Sequence, residues 1–326
     1  MTAVGLTWAP FPAAPLSEAD VIVDALFGTG LDREPAGQWG EAIEAMNQVP
    51  VPVLAVDIPS GLHADSGTVL GSAVGAAATA TFIGLKRGLY TADGPQCCGR
   101  IRFHGLDVPG AVYAGVRASS WLIPPLEGSP LLAPRPANTH KGHQGHVLII
   151  GGDRGMTGAV RMAGEAAARA GAGLVTIATR EQHAAVAGSG RPELMVHGVE
   201  SPRDLEPLLE RADVVAVGPG LGRHAWGKDL LARVLATDLP LVVDADALNQ
   251  LAETPTRRDN WILTPHPGEA GRLLKQSAGQ VQADRFHAVA ALQETYGGTV
   301  VLKGAGTLVR GADGATWVCD AGNPGM

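Results

Sequence analysis

His146-Val147-Leu148-Ile149-Ile150-Gly151-Gly152-Asp153 is the stretch whose reading decides the fold. An apolar run with no polar face is a strand buried on both sides, and it runs directly into paired glycines. Thr157 to Ala170 follows as an Ala-rich helix closed by Gly171. The alternation continues, with strands expected at Leu174 to Ala178, Val214 to Val217, Leu241 to Val243, Trp261 to Thr264 and Val300 to Leu302. Helices lie between most of them. The grammar predicts a many-stranded, doubly wound α/β domain.

Upstream, the same grammar builds a smaller unit. Val21-Ile22-Val23-Asp24 and Val51 to Asp57 are β-rich runs ending in an aspartate, and Trp39 to Met46 has helical apolar spacing between them. Ala76 to Phe82 and Ile101 to Val108 continue the pattern, and the unit closes near Gly115. From Arg117 to Asn138 it dissolves into a stretch with Pro124, Pro125, Pro130, Pro134 and Pro136, a density no helix survives. The expected division is residues 1–115, a linker over 116–138, and a larger domain over 139–326.

Composition agrees with two domains: 326 residues, 45% hydrophobic and 17% charged. The 44 glycines fit tight turns and close backbone approaches, although a genome rich in Ala and Gly codons gives the same count. A net charge of −7, with no Lys/Arg cluster, argues against a nucleic-acid surface. The three cysteines, Cys97, Cys98 and Cys319, have no zinc-site spacing and read as reduced thiols. There is no leader pattern and no apolar run of about twenty residues, so a cytoplasmic protein without a membrane span is expected.

In parallel sheets ligands gather at the C-terminal strand ends. Those ends are Gly151-Gly152-Asp153, Gly218 to Gly222, Asp244-Ala245-Asp246, Thr264 to Glu269 and Lys303 to Thr307. Gly218 to Gly222 offers bare amides to a phosphate or flat ring, or is a tight structural turn; it is neither a Walker A loop nor GxGxxG. Lys303 to Thr307 combines a cation, glycines and a hydroxyl suited to phosphates; the bland alternative is a hairpin with a solvated lysine. Asp244 and Asp246 could hold a metal-bound water, or cap the following helix, the better reading for at least one of them. His266, boxed by Pro265 and Pro267, sits on a stiff loop that favours a ligand-facing role over a structural one.

Taken together, NTHKGHQGHVLIIGG, GMTGAVRMAGEAAARAGAGLVTIAT, VGPGLG, VVDADALN, ILTPHPGEAGRLL and VLKGAGTLV closely resemble the ADP- or ATP-dependent NAD(P)H-hydrate dehydratases, in family order from Asn138 to Met326. The resemblance implies a ribokinase-like fold. It also implies phosphoryl transfer from ADP or ATP, assisted by Mg2+, to the hydroxyl of the hydrated nicotinamide ring. By position, Ala159, Gly220 and the loop His266, Pro267, Gly268, Glu269, Ala270, Gly271 and Arg272 would contact the hydrate. Lys303, Gly304, Ala305, Gly306 and Thr307 would hold the nucleotide phosphates.

The smaller unit resembles the second half of the Rossmann-like NAD(P)H-hydrate epimerase domain, through DALFGTGLDRE, VDIPSGLHADSG and LKRGLY. That resemblance places Asp24 and Ser60 on K+. It places Gly28, Thr29, Gly30, Leu31, Asp32, Arg33 and Glu34 around the substrate, and Asp57 as the catalytic carboxylate near the epimerised carbon. The expected partner is a small-molecule NAD(P)H hydrate, with neither nucleic acid nor membrane, in a homo-oligomer.

Two departures qualify the match. The family's epimerase has an earlier half with an Asn/Gly-rich loop that nothing before Asp20 supplies, so an exposed sheet edge and an inactive epimerase are expected as written. The dehydratase family continues past Asn323-Pro324-Gly325-Met326 into a glycine-rich turn carrying its presumed catalytic aspartate, so a longer gene product is expected. The competing readings are a ribokinase-like small-alcohol kinase and a dinucleotide-binding remnant without catalysis.

Overall fold

The computed structural model describes residue 11, residues 15–125 and residues 134–322. The described residues make two sheets. In the smaller unit β1 (Ile22–Asp24), β2 (Val53–Val56), β3 (Ala78–Phe82) and β4 (Arg100–His104) lie side by side in that order, all parallel. The helix Gln38–Gln48 crosses from β1 to β2 and buries Ala42, Ile43 and Met46. Among the described residues β1 pairs only with β2, and Val21 and Val23 are exposed on one face of the sheet.

The larger sheet is built from β5 (Trp121–Leu122), β6 (His146–Ile150), β7 (Leu174–Thr179), β8 (Met195–Gly198), β9 (Val214–Val217), β10 (Leu241–Val243), β11 (Trp261–Leu263), β12 (Thr299–Leu302), β13 (Thr307–Arg310) and β14 (Thr316–Cys319). Their order is β5-β14-β13-β12-β11-β10-β9-β6-β7-β8. From β12 to β8 the strands are parallel, whereas β13 is antiparallel to both neighbours.

β6 is the centre of this arrangement. Leu148 and Ile150 enter the large core with Val215, Val217 and Leu248, whereas Ile149 packs on the opposite face with Val160, Val175 and Ile177. Gly164 lets the helix Thr157–Arg169 lie close to the sheet, since a Cβ there would meet the Ile177 side chain. The chain runs outward through β7 and β8, then returns to the other side of β6 as β9 and proceeds to β12. The strand order therefore reverses between β6 and β9, which is where such sheets open a crevice.

Some elements differ from the sequence reading. Within the Pro-rich stretch Trp121–Leu122 forms β5, parallel to β14, and the Trp121 and Trp317 rings pack with centroids 5.7 Å apart. Two residues are too few to announce a strand; the edge of β14 makes one. β8, β13 and β14 also escaped, because runs of 4 residues carry little periodicity.

Cys97 and Cys98 are free and buried, and burial pushes the Cys98 thiol up to about 12, so it stays protonated and unreactive at neutral pH. Among the described residues no helix is long and apolar enough to cross a membrane.

Truncating the central strand should be costly. Ile150→Ala is expected to lower stability by about 2–5 kcal/mol, seen as a reduced denaturant midpoint at unchanged slope.

Candidate functional site

At the C-terminal end of β6 the chain turns through Gly151 and Gly152 and meets the end of β9. Gly152 N–H donates to Pro219 O at 3.0 Å and Asp153 N–H to Gly220 O at 2.6 Å, so the two glycine loops are stitched together. Gly218 has φ 126, and a Cβ there would run into the Asp244 carbonyl oxygen. Gly220 faces Ala159, whose Cβ would lie 3.3 Å from any Cβ added at Gly220. Two residues far apart in sequence that were expected to contact the hydrate are thus adjacent.

Asp244 and Asp246 divide their labour at the end of β10. Asp244 is the N-cap of the helix Ala245–Glu253, accepting from Ala245 N–H at 2.8 Å, and its Oδ1 also receives Lys303 Nζ at 2.8 Å. Asp246 accepts from Gly222 N–H at 2.9 Å and ties this helix to the glycine loop. The capping reading holds for Asp244; the lysine contact was not visible in the sequence.

Lys303 to Thr307 is the hairpin between β12 and β13. Its lysine is not a free solvated cation: it spans to Asp244 while remaining about two-fifths exposed. Gly304 (φ 136) and Gly306 (φ 61) take conformations that disfavour side chains, so the tip presents little but backbone.

His266 is the N-cap of the helix Pro267–Leu274. Its Nδ1 accepts from Gly268 N–H at 2.9 Å, and the Glu269 carboxylate returns the bond to His266 N–H at 2.8 Å. The imidazole has a structural duty alongside any ligand contact, with its side chain half exposed. From the same helix Arg272 Nε reaches Asn249 Oδ1 at 2.6 Å, so the HPGE and DADALN phrases are joined by side chains. Asn249 was missed as a site residue although it closes the DADALN phrase.

Asp153 was read only as a strand end, yet it anchors a network. Arg180 Nε donates to its Oδ1 at 2.8 Å, Arg180 Nη1 donates to Glu200 at 2.6 Å, and the guanidinium lies 4.3 Å over the Trp226 ring. Burial alone would raise the Asp153 carboxyl, but bonds from Arg180 and the Arg154 amide outweigh it and hold the group below the usual aspartate range.

In the smaller unit Asp24 is 1% exposed and has no cation partner among the described residues. Its oxygens accept from Ser60 Oγ at 2.6 Å and Ser60 N–H at 2.7 Å, so the expected K+ pair is brought together. Asp57 adopts φ 73, a strained backbone for a side-chain-bearing residue. Its Oδ1 receives Lys86 Nζ, Phe82 N–H at 3.0 Å and Thr81 Oγ1 at 3.3 Å, leaving Oδ2 without a bond among the described residues. Lys86 stands in the LKRGLY phrase but was given no role of its own. Asp57, Lys86 and Thr29 line a cleft of about 960 Å³, walled on its far side by Trp121 and Val318. A Cβ at Gly28 or Gly30 would meet nothing, so packing does not demand glycine there and room is left for a ligand. Glu34 packs instead against Gly71. The turn expected at Asn323-Pro324-Gly325-Met326 lies outside the described residues.

A doubly wound sheet with its loops gathered at this crevice defines the class of α/β proteins that bind ligands at a reversal of strand order. Residues 147–326 match the family model for NAD(P)H-hydrate dehydratase, and residues 5–88 match that for the YjeF-related protein N-terminus. The chain belongs to the NAD(P)H-hydrate dehydratase family. It is 53% identical to the bifunctional NAD(P)H-hydrate repair enzyme Nnr of Coxiella burnetii, over 97% of this chain and 65% of that protein. Identity to the Escherichia coli enzyme of the same description is 46%, over 94% of this chain and 59% of the relative. The chain thus spans about two thirds or less of the length of these curated relatives. Among solved structures, a ribokinase-like superfamily protein of Enterococcus faecalis aligns with TM-score 0.55 and 33% identity, covering 59% of this chain and 69% of that one. The ADP/ATP-dependent NAD(P)H-hydrate dehydratase of Bacillus subtilis, co-crystallized with ATP/Mg2+, aligns with TM-score 0.52 and 31% identity over the same shares.

The Asp153 network gives a pH signature. A carboxyl depressed in the folded state adds stability above its unfolded pKa, and that contribution is lost as pH falls through the folded value. Asp153→Asn should therefore destabilise at neutral pH, and the gap from wild type should close on acidification below the ordinary aspartate range. Thermal melts across that range check it; a gap independent of pH would refute the charge argument.

Proposed function

We propose that the larger unit restores NAD(P)H from its hydrate at the expense of ADP or ATP, and that the smaller unit belongs to an epimerase that interconverts the two hydrate epimers. The observation that carries this reading is the convergence, at one reversal of strand order, of the glycine loops, the Pro267–Leu274 helix and the Lys303 hairpin. The hydrate would lie against Ala159, Gly220 and the segment His266 to Arg272. The phosphates would meet the exposed Lys303 ammonium and the backbone of Gly304 to Thr307.

Hydroxide is a poor leaving group and phosphate a good one. Transfer of the terminal phosphoryl group to the ring hydroxyl leaves the shortened nucleotide. The ring nitrogen's lone pair then expels phosphate, and loss of the neighbouring ring proton restores the dihydropyridine. Catalysis of this kind is largely positioning and charge stabilisation. Among the described residues no group of three or more His, Cys, Asp or Glu could cage a metal. An Mg2+ would instead be carried by the phosphates, and Asp246, a carboxylate without a cation partner among the described residues, would be available to it. When bound, the ion would neutralise phosphate charge.

For the epimerase, a carboxylate as buried as Asp24, without a cation partner among the described residues, suits a monovalent ion held by oxygen, with Ser60 beside it. Asp57, fixed through Oδ1 by Lys86, keeps Oδ2 for proton exchange next to the epimerised carbon.

The test is recovery of NADH from its hydrate by the gene product with Mg2+ and ADP or ATP. No recovery with either nucleotide would sink the proposal. Lys303→Ala is expected to lower kcat/KM for the nucleotide by about 10²–10³. Asp57→Asn should abolish epimerisation while leaving dehydration of the S hydrate intact, measured with separated epimers.

A further inference from the structure

The Lys303–Thr307 hairpin is not supported by its own sheet alone. The turn Tyr90 to Ala92 of the smaller unit is seated directly on it. Ala92 N–H donates to Ala305 O at 3.2 Å, and Thr91 Oγ1 lies 3.2 Å from Ala305 O and 3.1 Å from Gly306 O. A Cβ at Gly306 would run into the Tyr90 carbonyl oxygen, so glycine is required here by the approach of the smaller unit. Ala92 has φ 53, a left-handed backbone that the docked turn sustains.

Beneath the hairpin lies Arg285, 0% exposed at the start of the helix Arg285–Tyr296. Its Nε donates to Thr91 Oγ1 at 3.0 Å, and its terminal nitrogens donate to the carbonyls of Leu302 (3.2 Å), Lys303 (3.3 Å) and Gly306 (3.4 Å) and to Gln282 Oε1 (2.6 Å). A Cβ at Gly304 would meet its guanidinium at 2.7 Å. Among the described residues no carboxylate pairs with it. Burial lowers its pKa only to about 10, so the charge persists at neutral pH. An arginine is costly to bury without a counter-ion, and a hairpin that receives an anion on its other face is a place where that cost is recovered.

We propose that Thr91 and Arg285 are positioning residues for the nucleotide site: the smaller unit, through the Thr91 hydroxyl, fixes the phosphate hairpin of the larger one over an uncompensated guanidinium. This rests on the reading that Lys303 to Thr307 holds nucleotide phosphates. The relay runs from Arg285 N–H to the Thr91 oxygen, and from the Thr91 hydroxyl to the hairpin carbonyls. Because binding linkage is reciprocal, a nucleotide that prefers the ordered hairpin must also strengthen the docking of the smaller unit.

The test is ADP affinity of the gene product by calorimetry, with Thr91→Val, which keeps the shape, and Thr91→Ser, which keeps the hydroxyl. Thr91→Val is expected to raise the ADP Kd and nucleotide KM about tenfold with kcat little changed, while Thr91→Ser stays near wild type. Added ADP should slow hydrogen exchange at residues 90–92 in wild type but not in Thr91→Val. Arg285→Lys, which keeps the charge but loses the planar fork, should also raise Kd, and it serves if the valine variant does not fold. Tight ADP binding unchanged in Thr91→Val and Arg285→Lys would overturn the proposal. If wild type binds no ADP, or Lys303→Ala binds it as well as wild type does, the hairpin reading itself fails and the inference falls with it.

Discussion

Burial of β6 on both faces is the constraint on which the rest depends. A strand with Leu148 and Ile150 in one core and Ile149 in the other must be flanked by strands and covered by helices on both sides. With β7 on one side and β9 on the other, the connections leave in opposite directions and cannot close over the strand ends. Backbone amides that leave the sheet at this boundary find their partners in the neighbouring loop, Gly152 on Pro219 and Asp153 on Gly220. Glycine appears there because the loops approach each other, and would approach a ligand, more closely than a Cβ allows.

Electrostatic organisation follows from that opening. The acidic groups at the crevice are each held by a specific donor: Asp153 by Arg180, Asp244 by Lys303 and the Ala245 amide, Asp246 by the Gly222 amide. In a chain of net charge −7, Arg180 and Lys303 offset the charges of Asp153 and Asp244, whereas Asp246, bonded to a neutral amide, keeps its own. Under the proposed function Lys303 would have a double allegiance, since a phosphate arriving at the hairpin would compete with Asp244 for its ammonium.

Much of this was legible in the chain. Val214–Val217 and Leu241–Val243 were bounded to the residue because turn-forming neighbours punctuate them, and the strand ends named the candidate site before any geometry was known. What the sequence could not reveal were pairings across long separations: Asp57 with Lys86, Asp244 with Lys303, Arg272 with Asn249, Thr91 with Arg285. An arginine opening a helix looks like a solvated residue, and nothing local shows that Arg285 is fully enclosed. His266 illustrates the opposite limit, because the prolines on either side drew attention to it but gave no sign that its Nδ1 would be occupied in capping.

The segment between the two units is more than a tether. Since Trp121–Leu122 adds to β14 and Trp121 packs on Trp317, the larger sheet includes residues that lie before β6 on the far side of the Pro-rich stretch. A dissection that began the larger unit at Asn138 would strip that strand away. It would uncover the backbone of β14 along one edge and leave Trp317 without its aromatic neighbour, inviting edge-to-edge association. A cut placed between Gly115 and Trp121 would preserve the strand, though it would still break the cleft that the two units wall together.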